Sequence, residues 1–221
     1  MTTNYYRLPQ VSNSDLSWLK NQLYPRENIS DPTEAYAFGS LIDAMLTEPA
    51  RVDYFKRTLD GKRVKKELFE NAVKMKQAFR RDEFCATLTE NSDGQKISIA
   101  HDREYNHRGF PFTLDVRCKW DIWREDWGWG GDIKSTTAQT QKEFEAAALY
   151  FDYDRQRAFY MDLQGAERDV LIGISKVNHR VFKIFINRES EFYKRGQDKY
   201  LELAFRWYLL FGKNKHEQHN H

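Results

Sequence analysis

The sequence predicts an α/β (α+β) fold in which a central mixed β-sheet is flanked by helices. Two observations predict it. Apolar residues recur at helical spacing near both ends and in the middle of the chain, while over short runs between those segments they alternate with charged ones. The order reads helices, strands, a long helix, a strand pair and a last helix, which sets helices against the faces of a sheet. The 221 residues, 40% hydrophobic and 15% aromatic, suffice for one domain with a sizeable core, expected over 1–212 with a disordered tail at 213–221.

In chain order, residues 1–10 read as an extended lead-in. A helix follows at 11–23, with Ser12 or Ser14 as N-cap and Leu16, Leu19 and Leu23 on one face. A loop spans 25–32. A second helix covers 34–47, with Phe38, Leu41, Ile42, Met45 and Leu46 as its apolar stripe. Within it, Gly39 lowers helix stability unless something approaches closely there, and Asp43 either faces solvent or reaches inward to a site. Residues 66–81 form an amphipathic helix. The stretch 86–100 is weakly patterned, with a turn at 91–94 and a short strand at 96–100. After a turn at 106–109 comes the central hairpin. Helical sequence resumes at 141–164, with a break near 151–154. Strands at 170–175 and 181–186 and a helix at 191–211 complete the fold.

The hairpin at 114–137 is the most informative stretch. Leu114, Val116, Cys118 and Trp120 point one way, and Asp115, Arg117, Lys119 and Asp121 the other. Residues 124–128 break the pattern and make the turn. In the second strand Asp132 and Lys134 share a face while Ile133 enters the core. Asp121, Asp132 and Lys134 thus meet as two carboxylates and an ammonium, a set that suits a hard divalent cation and a metal-bound water. An ordinary Asp132–Lys134 salt bridge on a solvated strand is the plain alternative. Trp123, Trp127 and Trp129 crowd the turn, either stacking on bases or packing under the sheet.

The net charge of +2 does not mark a nucleic-acid binder by itself, but residues 56–81 hold ten Lys or Arg against three acids. Lys62, Arg63, Lys65 and Lys66 form its densest part, which reads as a solvated helix face or a phosphate-contacting arm. No run of eighteen apolar residues and no signal-like N-terminus appear, so no membrane partner is expected. Cys85 and Cys118 lie far apart in no metal-ligand spacing, and a reducing cytoplasm is the expected compartment.

Five segments together resemble the PD-(D/E)XK nuclease superfamily, most of all its RecE-type (exodeoxyribonuclease VIII-like) branch. They are VSNSDLSWL at 11–19, FGSLIDAMLTEP at 38–49, VRCKWDIW with GDIKSTT at 116–123 and 131–137, QRAFY at 156–160, and the strand pair LIGISK and RVFKIFI at 171–176 and 180–186. The resemblance spans about 11–211. It implies a restriction-endonuclease-like core and a Mg²⁺-dependent (or Mn²⁺-dependent) deoxyribonuclease. Its metal ligands would be Asp43, Asp121, Asp132 and the Ile133 carbonyl. Lys134 would position the attacking water, and Gln156 and Tyr160 would support the site or touch DNA. Where the branch usually has a histidine in the second helix, this chain has Asp43. The implied activity is exonuclease action on double-stranded DNA ends for recombination or phage replication. A single-strand annealing protein and a homo-oligomer are the implied partners. An endonuclease of the same superfamily and a non-catalytic DNA-binding module are the alternatives. A Cas4-like iron–sulfur nuclease would need four cysteines, and there are two.

Overall fold

The structure, a computed structural model, describes residues 5–25 and 33–213. Most of the loop expected at 25–32, the tail from 214 onward and the first four residues of the lead-in lie outside the described residues.

Helix α1 (Asn13–Leu23) starts at a reciprocal cap. Ser12 Oγ accepts from the Asp15 N–H at 3.3 Å, and the Asp15 carboxylate accepts from the Ser12 N–H at 2.9 Å. Helix α2 (Thr33–Thr47) buries Phe38, Leu41, Ile42 and Met45, the stripe its periodicity predicts. Next come three short strands, β1 (Val52–Asp53), β2 (Thr58–Leu59) and β3 (Lys62–Arg63), in a small antiparallel sheet. A helix-face reading of Lys62 and Arg63 is therefore wrong. Asp60 and Gly61 adopt φ of 50° and 77°, so they form a two-residue hairpin turn that pairs Leu59 with Lys62. Helices α3 (Lys66–Arg81) and α4 (Glu83–Thr89) follow.

The main sheet comprises β4 (Asp93–His107), β5 (Phe110–Arg124), β6 (Trp129–Thr136), β7 (Arg168–Ser175) and β8 (Val181–Asn187), ordered β4-β5-β6-β7-β8. Every pairing is antiparallel except β6 with β7. That parallel pair needs a crossover, supplied by α5 (Gln141–Tyr150) and α6 (Tyr153–Gln164), with the break at Phe151 and Asp152. Helix α7 (Glu191–Phe211) closes the fold. The sheet is mixed and flanked by helices, as its sequence pattern predicts.

Strand β4 is the exception. Fifteen residues long, it exceeds the short strand expected at 96–100, and it pairs with β5 along its length. As an edge strand it exposes most of its side chains, so it carries little apolar alternation to read.

The sheet has a core on each face. Leu114, Val116, Cys118, Trp120 and Leu171 pack under α1, α6 and α7, while Ile122, Ile133, Val170, Ile172 and Ile174 pack under α2, α3 and α4. Trp120 and Ile122, two residues apart, face opposite cores, so the alternation of β5 slips by one at Asp121. The β4–β5 register is kept across this point, Lys96 with Trp120 and Gly94 with Ile122, while Gln95 between them takes a φ of 56°; the register shift of the pair lies between Ala100 and Arg103. Among the described residues no helix is long and apolar enough to cross a membrane.

Candidate active site

The site is built where the main sheet forks. β5 and β6 pair at only three positions, Ile122 with Gly131, Trp123 with Gly130 and Arg124 with Trp129. The pairing is tight enough to require glycine, since a Cβ on Gly130 would lie 2.1 Å from the Ile122 carbonyl oxygen. Beyond Ile122 the strands diverge. β6 continues beside β7, and the freed edge of β5 is covered by the lead-in: Val11 donates to the Asp115 carbonyl at 2.8 Å and accepts from the Arg117 N–H at 2.9 Å. Asp121 and Asp132 are the first residues past the last pair. The Asp121 carboxylate accepts from the Ile133 N–H at 2.8 Å, so a side chain satisfies a backbone donor that the split leaves without a β5 partner.

A cleft of about 1020 Å³ opens at this fork, lined among others by Gly39, Asp43, Asp121, Ile133, Lys134, Tyr153, Gln156 and Lys176. Asp43 reaches inward, as one of its two expected placements requires. Gln95 holds it by donating from Nε2 to both carboxylate oxygens at 3.0 Å, and Thr47 adds a hydroxyl bond at 3.2 Å. The left-handed backbone at Gln95 thus aims a side chain from within a strand that runs on through it. At Gly39 a Cβ would be 4.0 Å from Ser135 Oγ, an ordinary contact, so its lack of a side chain widens the cleft and does not relieve a clash.

Asp132 stands between the cleft and the interior. Lys134 forms an ion pair with its Oδ2 on the cleft side. On the interior side Arg157 Nη1 donates to Oδ1 at 2.9 Å, and Arg157 Nε donates to Asp169 at 2.6 Å. Arg157 is fully buried and Asp132 and Asp169 are 1% exposed. The guanidinium packs against the Trp120 and Tyr160 rings, 4.6 and 4.8 Å from their centres, and the two rings meet edge to face at 5.7 Å.

The electrostatics are those of crowded carboxylates. Burial raises the pKa of Asp121 well above the ordinary carboxylate range, and repulsion from Asp132 and Asp43 adds to it. Burial also raises Asp43; Lys119 pulls it back and Asp132 pushes it up. Asp169 is pushed up to about 7 by burial, against the pull of Arg157. Burial works against a charged Lys134, but Asp132 and Asp121 outweigh it and hold its pKa above the ordinary lysine value. Lys134 is therefore a fixed cation, which Tyr153 covers with its ring centre 5.1 Å from Nζ.

A carboxylate with a raised pKa destabilises the charged folded state above its unfolded pKa. Asp121→Asn keeps an oxygen for the Ile133 N–H and removes the repulsion. In metal-free buffer at neutral pH its melting temperature should therefore rise, by about 2–4 °C for roughly 1 kcal/mol, in a circular-dichroism melt. A fall would show that the charge is not strained.

Of the residues singled out from the sequence, Asp43, Asp121, Ile133, Lys134 and Gln156 line the cleft, and Asp132 lies just behind it. Tyr160 is buried beneath, against Trp120 and Arg157. Lys62, Arg63, Lys65 and Lys66 do not line the cleft; Lys65 pairs with Glu34 at 2.9 Å and Lys66 with Glu70 at 3.8 Å. Nor do the three tryptophans. Trp123 is buried and donates to Glu125, and Trp127 and Trp129 pack on each other and on the α2–α4 core. Sequence reasoning missed Arg157, Asp169, Gln95, Thr47 and Tyr153. Gln95 lay in the weakly patterned stretch, and Arg157 lay inside the segment QRAFY, in which the resemblance gives roles only to Gln156 and Tyr160.

Among the described residues no three Asp, Glu, His or Cys side chains converge closely enough to hold a metal alone. The donor set is nonetheless all oxygen. The buried Asp132 Oδ2 has the Lys134 ammonium as its partner and no other hydrogen-bond donor. Mg²⁺ suits such a site, because it takes one or two carboxylates and fills its shell with water and phosphate oxygens.

The sequence and fold are similar to known families and structures. A family model described as a PDDEXK-like domain of unknown function (DUF3799) matches residues 17–200. No curated protein matches the sequence. The crystal structure of a candidate exonuclease from Eubacterium rectale superposes with a TM-score of 0.60 at 16% identity, covering 95% of this chain and 85% of that one. A phage-related exonuclease from Haemophilus somnus 129PT gives a TM-score of 0.41 at 13% identity, covering 87% of this chain and 92% of that one.

Proposed function

The chain belongs to the DUF3799 family of PDDEXK-like domains, and on that premise we propose that it is a metal-dependent nuclease that hydrolyses DNA phosphodiester bonds from the ends of linear duplex. The observation that carries this reading is the fork itself, which gathers Asp43, Asp121 and Lys134 on one cleft with Asp132 directly behind Lys134. Nothing in the packing of the sheet needs three carboxylates there, and their mutual repulsion opposes folding.

Asp121, Asp132 and Asp43, with the Ile133 carbonyl, would hold the cation. When bound, it supplies a Lewis acid for the phosphoryl oxygen and an acidified water. The chain's own groups do the rest. Lys134, held protonated by its carboxylate neighbours, places positive charge where the phosphoryl oxygens gain negative charge. Arg157 fixes Asp132 from behind so that its carboxylate cannot swing out of the site. Gln95 and Thr47 do the same for Asp43. Gln156 offers an amide to the substrate backbone. Exposed rings at the cleft, Tyr36 among them at 72%, suit the bases of a strand drawn into it. Processing of DNA ends for recombination or phage replication, in a reducing cytoplasm, fits this chemistry; both cysteines are free thiols.

The basic segment fits as part of the DNA path. Lys62 and Arg63 are exposed, and the Lys65–Glu34 pair ties their hairpin to the start of α2, whose Tyr36 lines the cleft. A Lys62→Glu, Arg63→Glu variant should bind duplex more weakly. Its slope of log K against log salt should flatten by about 0.9 for each phosphate that these two side chains neutralise in the parent protein, as read by fluorescence anisotropy. An unchanged slope would remove this segment from the path. The reading as a whole is tested by Mg²⁺-dependent release of label from linear duplex, beside a chelator control.

A further inference from the structure

One wall of the cleft is formed by α1 and α6 and carries Ser17, Asp152 and Arg155, none of which has a part in the chemistry above. Arg155 is only 3% exposed. Its Nη2 donates to Ser17 Oγ at 2.6 Å, while its Nε and Nη1 have no hydrogen-bond partner. The Ser17 hydroxyl in turn donates to the Asn13 carbonyl at 2.9 Å, so Ser17 serves to hold the guanidinium in place. Among the described residues no carboxylate forms an ion pair with Arg155. The two nearest in sequence are taken: Asp152 by Lys20 and Lys199, and Asp154 by Lys199 at 2.8 Å. Three cations, Lys20, Lys199 and Arg155, thus share two carboxylates, and one positive charge is left without a partner.

A buried guanidinium with two unmet donors is costly to the fold, and arginine cannot shed its proton to relieve it. Burial does disfavour its charge, and Asp152 and Asp154 offset this only in part. Such a group is retained where an anion completes it. The cleft it lines is the one that holds Lys134, and phosphate is the anion a nucleic-acid strand brings there at regular intervals.

We propose that Arg155, positioned by Ser17, binds a phosphate group of the DNA strand other than the one being cut, which rests on the nuclease reading above. That phosphate is either a terminal monoester or an internal diester, and either would set how far along the strand the scissile bond lies.

The test is binding without metal, in EDTA, so that cleavage plays no part. The full chain is titrated with fluorescent linear oligonucleotides whose termini carry either phosphate or hydroxyl, over a range of salt. Arg155→Gln should weaken binding about tenfold, and lower the salt slope by the 0.7 to 0.9 that one phosphate contact contributes. Ser17→Ala should weaken it less, in the same direction. A loss confined to phosphorylated ends identifies the terminal monoester; an equal loss for both identifies an internal diester. Inorganic phosphate supplies an arm independent of DNA: it should raise the melting temperature of the parent protein more than that of Arg155→Gln. If Arg155→Gln and Ser17→Ala fold and bind every oligonucleotide with unchanged affinity and slope, the proposal is overturned. If no oligonucleotide binds even the parent protein, the nuclease reading fails; the anion site then stands on a phosphate shift that Arg155→Gln abolishes, and falls if there is none.

Discussion

Lys134→Ala should lower the single-turnover rate of DNA cleavage by about a thousandfold, the upper end of what removing one preorganised charge costs. The expectation follows from where the ammonium is held. It sits in the cleft, paired to Asp132, and its carboxylate neighbours keep it charged despite burial. Asp132 retains Arg157 when Lys134 is gone, but its Oδ2 loses its ion-pair partner. The variant should therefore melt a few degrees lower, by about 2–4 °C for each kcal/mol lost. It should still be folded at assay temperature and bind duplex with an affinity within about threefold, under half a decade. Rapid-quench assays with end-labelled duplex read the rate, and anisotropy reads the binding. A variant that cleaves at the parent rate would return Lys134 to the role of an ordinary salt-bridge partner.

Arg157→Met should be among the most destabilising single changes in the protein, at about 3–5 kcal/mol. The side chain is fully buried, bonds two buried carboxylates and packs against the Trp120 and Tyr160 rings. Methionine fills much of that volume but leaves Asp132 and Asp169 facing each other without their shared cation. A melting temperature lower by about 10 °C is expected. Adding Asp169→Asn should recover part of the loss by removing one of the unpaired charges. Differential scanning calorimetry of both variants checks this, and a single variant that melts within about 2 °C of the parent would show that the network is not under that tension.

Most of the helices and both halves of the hairpin were legible in the sequence, for a physical reason. Elements that bury one face must repeat their apolar residues with the period of the backbone, as α2, α3 and α7 do. Strand β4 carries no such record, because an edge strand with exposed faces has nothing to repeat. The small sheet at Val52–Arg63 did leave a signal, the Asp60–Gly61 dipeptide of a two-residue hairpin, but the basic run around it drew the reading toward a helix face.

The site was legible in part. Asp132 and Lys134 could be placed together because strand periodicity fixes what shares a face, and Asp121 joined them because the hairpin brings its strand alongside. Asp43 and Gln156 joined them through the resemblance to a nuclease family, not through spacing. The supporting residues were out of reach. Arg157 is an arginine in a helix, and nothing local says that Trp120 and the carboxylates of two strands await it. Gln95 is aimed at Asp43 by a left-handed backbone at an irregularity in β4, a tertiary event without a sequence period.

The most direct measurement is release of label from linear duplex DNA labelled at its ends. The purified chain is incubated with it in Mg²⁺, in EDTA, and in Mg²⁺ with Asp132→Asn or Lys134→Ala. Label should be released in Mg²⁺ by the parent protein alone. Intact label in Mg²⁺ under conditions where the protein binds the duplex, or equal release in EDTA, would contradict a metal-dependent nuclease at the fork of the sheet.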